Sequence, residues 1–152
     1  MIVVSNTSPL NYLVLLERQE VLPDLFGQVR IPTMALTELG REGAPPVVRR
    51  WADAPPPWLV VQEPTEFDPR LRLHLGETHA IALAQTAHAD VLLMDEARAR
   101  GVAGSMGLRV RGTLSVLELA AERDLLDLPA ALRRLRETNF RASAGLIDAA
   151  LE

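Results

Sequence analysis

The sequence predicts an α/β fold, a three-layer α/β/α sandwich around a mostly parallel central sheet of about five strands. Three observations predict it. Short, largely apolar runs rich in valine, isoleucine and leucine recur at residues 2–5, 29–31, 58–61, 91–94 and 108–110, as expected of strands buried in a parallel sheet. Between them lie stretches whose apolar residues recur at helical spacing. Strands joined through helices pair in parallel, by right-handed crossovers, and such sheets carry their sites at the carboxyl ends of the strands. At 152 residues and 48% hydrophobic content, the chain has the size and core of one domain, expected to span residues 1–152.

Residues 2–5 read as a buried strand. In Asn6-Thr7-Ser8-Pro9, Ser8 is the expected N-cap and Pro9 the first helical residue. Leu10, Leu13, Val14 and Leu16 continue that helix, and residues 22–27 form a short second one closed by Gly27. Residues 29–31 are the next strand, and Pro32 separates it from a helix at 33–41 that contains Glu38. Gly43, Pro45 and Pro46 mark a turn before a helix at 47–52, and Ala54-Pro55-Pro56-Pro57 is a stiff loop leading into the strand at 58–61. Residues 76–88 read as an amphipathic helix with Ile81, Ala84 and Ala87 on one face. Residues 91–94 are the clearest buried strand, ended by Asp95. A helix at 96–106, a strand at 108–110 and a helix at 113–123 complete the alternation, and 129–152 read as two more helices separated near 139–143.

Composition narrows the chemistry. With no cysteine, thiol nucleophiles, thiolate metal sites and disulfide scaffolds are excluded, which suits a reducing, cytoplasmic setting. No run approaches the roughly 20 apolar residues of a membrane span, so no membrane association is expected. A net charge of −4 argues against bulk electrostatic binding of nucleic acid, so any affinity for RNA must be local. All 16 cationic side chains are arginine; arginine is the better bidentate phosphate ligand. His74, His79 and His88 lack a zinc spacing, and Ser5, Ser8 and Ser105 lie in no nucleophile elbow. Aromatic content of 4% leaves few platforms for base stacking.

The polar residues that fall at strand ends or in the helices that follow are Asn6, Glu38, Glu77, Asp95 and Glu96. Brought together there, they are oxygen donors for a hard cation such as Mg²⁺ or Mn²⁺. Each also has an ordinary structural explanation. Asp95 suits a helix N-cap, Glu77 and Glu96 suit a helix N-terminus, and Glu38 suits a solvated helix face.

Resemblance adds specificity. Val3 to Leu10, Ile31-Pro32 shortly before Glu38, Gly76-Glu77-Thr78-His79-Ala80, Leu92-Leu93-Met94-Asp95-Glu96 and Gly112-Thr113-Leu114 resemble, in order and spacing, the VapC-like branch of the PIN-domain family, related to the ribonuclease toxins of toxin–antitoxin systems. The resemblance implies a Mg²⁺- or Mn²⁺-dependent ribonuclease with Glu38, Glu77 and Asp95 catalytic, and with Asn6 and Glu96 joining them as metal ligands. It implies supporting roles for Thr7, Ser8 and Thr113, and it makes RNA the substrate, a small antitoxin the partner and a homodimer the assembly. Arg98 and Arg100, just past Asp95, are candidates for RNA phosphate contacts, with surface salt bridging as the ordinary alternative. Asn6 departs from the family's usual aspartate, offering a carbonyl oxygen without charge. Two other readings therefore remain open: a PIN-fold interaction module without catalysis, and a nuclease acting on DNA.

Overall fold

The computed structural model describes residues 1–68 and 71–140. Five strands form one sheet, in the order β3-β2-β1-β4-β5, with every adjacent pair parallel. They are β1 (Val3–Ser5), β2 (Val29–Ile31), β3 (Leu59–Val61), β4 (Val91–Leu93) and β5 (Val110–Arg111). Register sets Val4 opposite Arg30 on one side and Leu92 on the other. The helices among the described residues are α1 (Thr7–Leu15), α2 (Val21–Phe26), α3 (Thr33–Leu39), α4 (Pro46–Asp53), α5 (Leu75–Thr86), α6 (Ala97–Ser105), α7 (Thr113–Glu122) and α8 (Leu128–Arg136). The expected sandwich, with its parallel sheet, is the observed architecture.

Alternation along the strands divides the core in two. Val3, Val29, Ile31, Leu59, Val91 and Leu93 face a layer that includes α1, α2, α4, α7 and α8. Val4, Leu92 and Met94 face the other way, against α5 and α6. Because both faces are covered, β1 and β4 are buried at every residue, which is why they read as continuous apolar runs. Helix α5 is buried over five consecutive residues, Ala80 to Ala84, rather than along the single face expected of it. It packs on β1 and β4 and also against α3, and its alanines admit that second neighbour.

The start of α1 differs from expectation. The helix begins at Thr7, and Asn6, in extended backbone at φ −79° and ψ 175°, stands at the N-cap position. Ser8 is not the cap, because its hydroxyl donates to Asp95, 87 residues away in sequence. Pro9 therefore falls inside the first turn, where its missing N–H leaves no helical bond unmade. The second tail helix expected beyond 139–143 lies outside the described residues.

The order of the strands places the functional edge. The chain runs from β1 outwards through β2 to β3, then returns to lay β4 and β5 on the other side of β1. That reversal lies between β1 and β4, and a crevice opens past their carboxyl ends. The backbone N–H of Asn6 donates to the Leu93 carbonyl at 2.9 Å, tying the two strand ends together. No helix among the described residues is long and apolar enough to cross a membrane.

Candidate active site

Past that edge lie two adjoining cavities, of about 260 and 770 Å³. The smaller is lined by Asn6, Thr7, Ser8, Asn11, Tyr12, Glu38, His74, Gly76 and Glu77. The larger is lined by Asp95, Glu96, Ala97, Arg100, Gly112, Leu114, Ser115, Glu118 and Phe140. Asn6, Ser8, Tyr12 and Glu77 line both, so the two are lobes of one cleft.

Asp95 is the most firmly held of the acids. Its Oδ1 accepts the backbone N–H of Thr113 at 2.7 Å, and its Oδ2 accepts the hydroxyls of Thr113 at 2.7 Å and Ser8 at 2.9 Å. The carboxylate thus caps α7 rather than the helix that follows it, where it also meets the positive end of the α7 dipole. Cap duty at α6 passes to Glu96, whose Oε2 accepts the Ala99 N–H at 2.6 Å. Glycine at 112 makes the approach to Asp95 achievable. A Cβ there would lie 2.9 Å from Asp95 Oδ1 and 2.8 Å from Arg100 Nη1.

Glu38 comes from the last turn of α3 and is oriented by Thr7, whose hydroxyl donates to Oε1 at 3.0 Å. It rests on Gly76, where a Cβ would collide with its carboxylate, falling 2.9 Å from Cδ. Glu77 sits in the first turn of α5, and its Oε2 accepts the His74 backbone N–H at 3.2 Å. Burial, followed by the nearby Glu96 charge, pushes the Glu77 carboxyl above its ordinary value. The His74 N–H opposes that shift, and Glu38 adds to it more weakly. Asn6 is the buried member, 7% exposed, and its Oδ1 has no hydrogen-bond partner among the described residues.

Every residue of the expected constellation except Arg98 and Thr113 lines the cleft, and Thr113 is buried behind it, holding Asp95. Thr7, Ser8 and Thr113 each fix a carboxylate. Arg100 lines the larger lobe, whereas Arg98, exposed on the same helix, lines neither. Among the described residues, no three histidine, aspartate or glutamate side chains converge closely enough to chelate an ion. The hydrogen bonds explain that spacing. Each carboxylate accepts from a donor of its own: Thr7, His74, Thr113 with Ser8, or Ala99. The donor set still fits a hard divalent ion in kind. It is all oxygen, and it includes one buried oxygen with nothing to accept from.

A family model described as PIN domain (DUF3368) matches residues 2–152. The chain belongs to the PIN domain family. A PilT N-terminus domain protein from the hyperthermophilic archaeon Sulfolobus solfataricus P2 has a similar structure, with a TM-score of 0.59 at 18% identity over 80% of this chain and 95% of that one. At that identity the likeness bears on the fold alone. No curated protein matches the sequence. This PIN domain therefore has a nuclease-type fold, with its acidic residues gathered at the switch point of the sheet.

Sequence reasoning passed over Asn11, Tyr12, Ser115, Glu118 and Phe140, all of which line the cleft. Tyr12 and Phe140 lie at opposite ends of the chain, and neither belongs to a local motif. Gly76 and Gly112 did carry a signal, since each immediately precedes a residue of the constellation, Glu77 or Thr113.

Proposed function

We propose that this PIN domain is a metal-dependent endoribonuclease that hydrolyses RNA phosphodiester bonds with Mg²⁺ or Mn²⁺. One observation carries the reading: the buried, unpartnered Oδ1 of Asn6 lies in a cleft with Glu38 of α3, Glu77 of α5 and the adjacent pair Asp95 and Glu96 that follows β4, at the switch point of a PIN fold. Asp95 and Glu38 are the principal ligands, with Asn6, Glu77 and Glu96 completing the set. When bound, a divalent cation lowers the pKa of water and stabilises charge on the leaving oxygen. The residues of the chain do the rest. Thr113, Ser8 and Thr7 hold the ligand carboxylates in place. Glu77, in the first turn of α5, takes up the proton of the attacking water at its carboxylate. Arg100 receives the phosphate.

The test is cleavage of single-stranded RNA with and without Mn²⁺, in the parent and in Asp95→Asn. Cleavage that needs metal and disappears in the variant is expected. Robust cleavage in chelator, or by Asp95→Asn, would overturn the proposal, and a DNA panel run alongside decides between the two nucleic acids. The spread of the carboxylates and the uncharged Asn6 favour a second reading, a PIN-fold interaction module without catalysis. Calorimetry decides between them, since no Mn²⁺ binding at millimolar metal would favour the module. The first reading extends to a cytoplasmic toxin acting as a homodimer and neutralised by a small antitoxin. Growth arrest on expression, relieved by the product of an adjacent short reading frame, is the corresponding test.

A further inference from the structure

We propose that the larger lobe of the cleft is a nucleobase-binding subsite, in which Tyr12, Leu114 and Phe140 receive the base next to the reacting phosphate. The proposal rests on the nuclease reading of the same cleft and adds an aromatic contact to it.

The lobe is lined by the carboxylates of Glu77, Asp95, Glu96 and Glu118 and also by the apolar side chains of Tyr12, Leu114 and Phe140. Its volume of about 770 Å³ falls within the roughly 300–1,000 Å³ usual for small-ligand sites. An acidic cavity repels a phosphodiester, so a nucleic-acid strand needs an uncharged foothold beside it. Bases supply that, because every base has a π-face that stacks on aromatic side chains.

The aromatic contact is already built. The rings of Tyr12 and Phe140 meet edge to face, with centroids 4.9 Å apart at 86°. The Tyr12 hydroxyl is tied to Asn139 Oδ1 at 2.9 Å, so little ordering remains to be done on binding. The shelf is also coupled in space to the acids. Ser8 and Tyr12 are four residues apart on α1 and share a face. One turn of that helix holds Asp95 while the next presents a ring to the same cleft. On α7, Leu114 directly follows Thr113, the other residue that holds Asp95.

Two polar groups mark where the rest of a nucleotide lies. Arg100 Nη1 and Asp95 Oδ1 both close on Gly112, placing an exposed guanidinium beside the acidic centre. Its planar fork suits the phosphate on the outer side of the base. Asn6 Oδ1, buried and without a partner, lines both lobes at their junction.

The test is equilibrium binding to the full chain in chelator, by fluorescence anisotropy. The probes are a six-nucleotide single-stranded RNA and the same strand made abasic. The parent is expected to bind the intact strand at least about 5-fold more tightly, the lower end of what one stacked base supplies. Phe140→Ala should abolish that difference and Phe140→Trp keep it, while Arg100→Gln should weaken both strands equally. Circular dichroism checks folding, and Leu114→Ala replaces Phe140→Ala if the latter does not fold. Equal binding of the two strands by the parent, binding of neither, or a base preference that survives the alanine variants would overturn the subsite. Base-dependent binding without any cleavage would overturn the nuclease reading alone. Metal-dependent cleavage with equal binding of both strands would overturn the subsite alone.

Discussion

Thr113→Val tests how Asp95 is held. Thr113 is fully buried, and both its N–H and its hydroxyl donate to Asp95 at 2.7 Å. Valine keeps the shape, the β-branch and the N–H bond, and it has a similar helix propensity, so only the hydroxyl is lost. A hydrogen bond to a charged acceptor contributes about 1.5–3 kcal/mol, and with Asp95 half-buried and Ser8 still donating, about 2 kcal/mol is expected. For a chain of this size each kcal/mol moves the melting temperature by about 2–4 °C, so thermal unfolding should show a fall of about 4–8 °C. Both hydroxyls converge on the same oxygen, Oδ2. Ser8→Ala should therefore cost more in the Thr113→Val background than alone, by about 0.5 kcal/mol or more. The control is Asp95→Ala, in which Thr113→Val should lose most of its effect. An equal fall with and without the aspartate, or a fall below about 1 °C in the parent, would refute the assignment of Thr113 as the residue that holds Asp95.

Four further outcomes are expected. In Gly76→Ala the new Cβ displaces the Glu38 carboxylate, so metal-dependent cleavage should fall at least about tenfold, while stability, favoured by the helix propensity of alanine, changes by no more than about 1 kcal/mol. The Glu77 carboxyl is raised above 4.5 in the folded chain. Its contribution to metal-free stability is therefore complete below that value and lost as pH rises through the raised one, and Glu77→Gln should flatten this decline in pH-dependent unfolding. Mn²⁺ at a hundred times its dissociation constant should stabilise the parent by about 2.7 kcal/mol, reversibly with chelator. Asn6→Asp should tighten Mn²⁺ binding and, without metal, lower the melting temperature, because it buries a charge in a cleft already lined by carboxylates.

Much of this was legible in the sequence because it is local. Residues 91–94 are apolar throughout and end in an acid, so both a central strand and a candidate ligand at its carboxyl end could be read directly. The start of α1 could not. Ser8 has the propensity of an N-cap, but Asp95 claims its hydroxyl from 87 residues away, and long-range pairing overrides the local preference. Arg98 and Arg100 are equivalent as text, and only the phase of α6 against the sheet separates one that lines the cleft from one that does not. An aromatic content of 4% gave little reason to expect a stacking platform, yet the fold sets the only tyrosine against one of three phenylalanines across 128 positions of chain.

The hydrogen bonds around the acids bear on why the cleft tolerates asparagine at position 6. Glu38, Glu77, Asp95 and Glu96 share the cleft with Glu118, and the Glu77 carboxyl is raised first by burial and then by the Glu96 charge. The chain answers with donors of its own, the hydroxyls of Thr7, Ser8 and Thr113 and the backbone N–H groups at the heads of α5, α6 and α7. Asn6 is the most deeply buried of the five side chains and the one with no such donor for its oxygen. A carboxylate there would be a buried charge without a partner, among the costliest arrangements a fold can hold. An amide oxygen left unpaired costs only about 1–3 kcal/mol, and a bound cation would recover that cost. Asparagine thus keeps an oxygen donor at the end of β1 while sparing the metal-free chain a further negative charge, at the expense of affinity for the cation. On this balance, the metal-free fold and the metal-bound cleft make opposite demands on one position, and the opposing effects expected of Asn6→Asp on melting temperature and Mn²⁺ affinity follow from it.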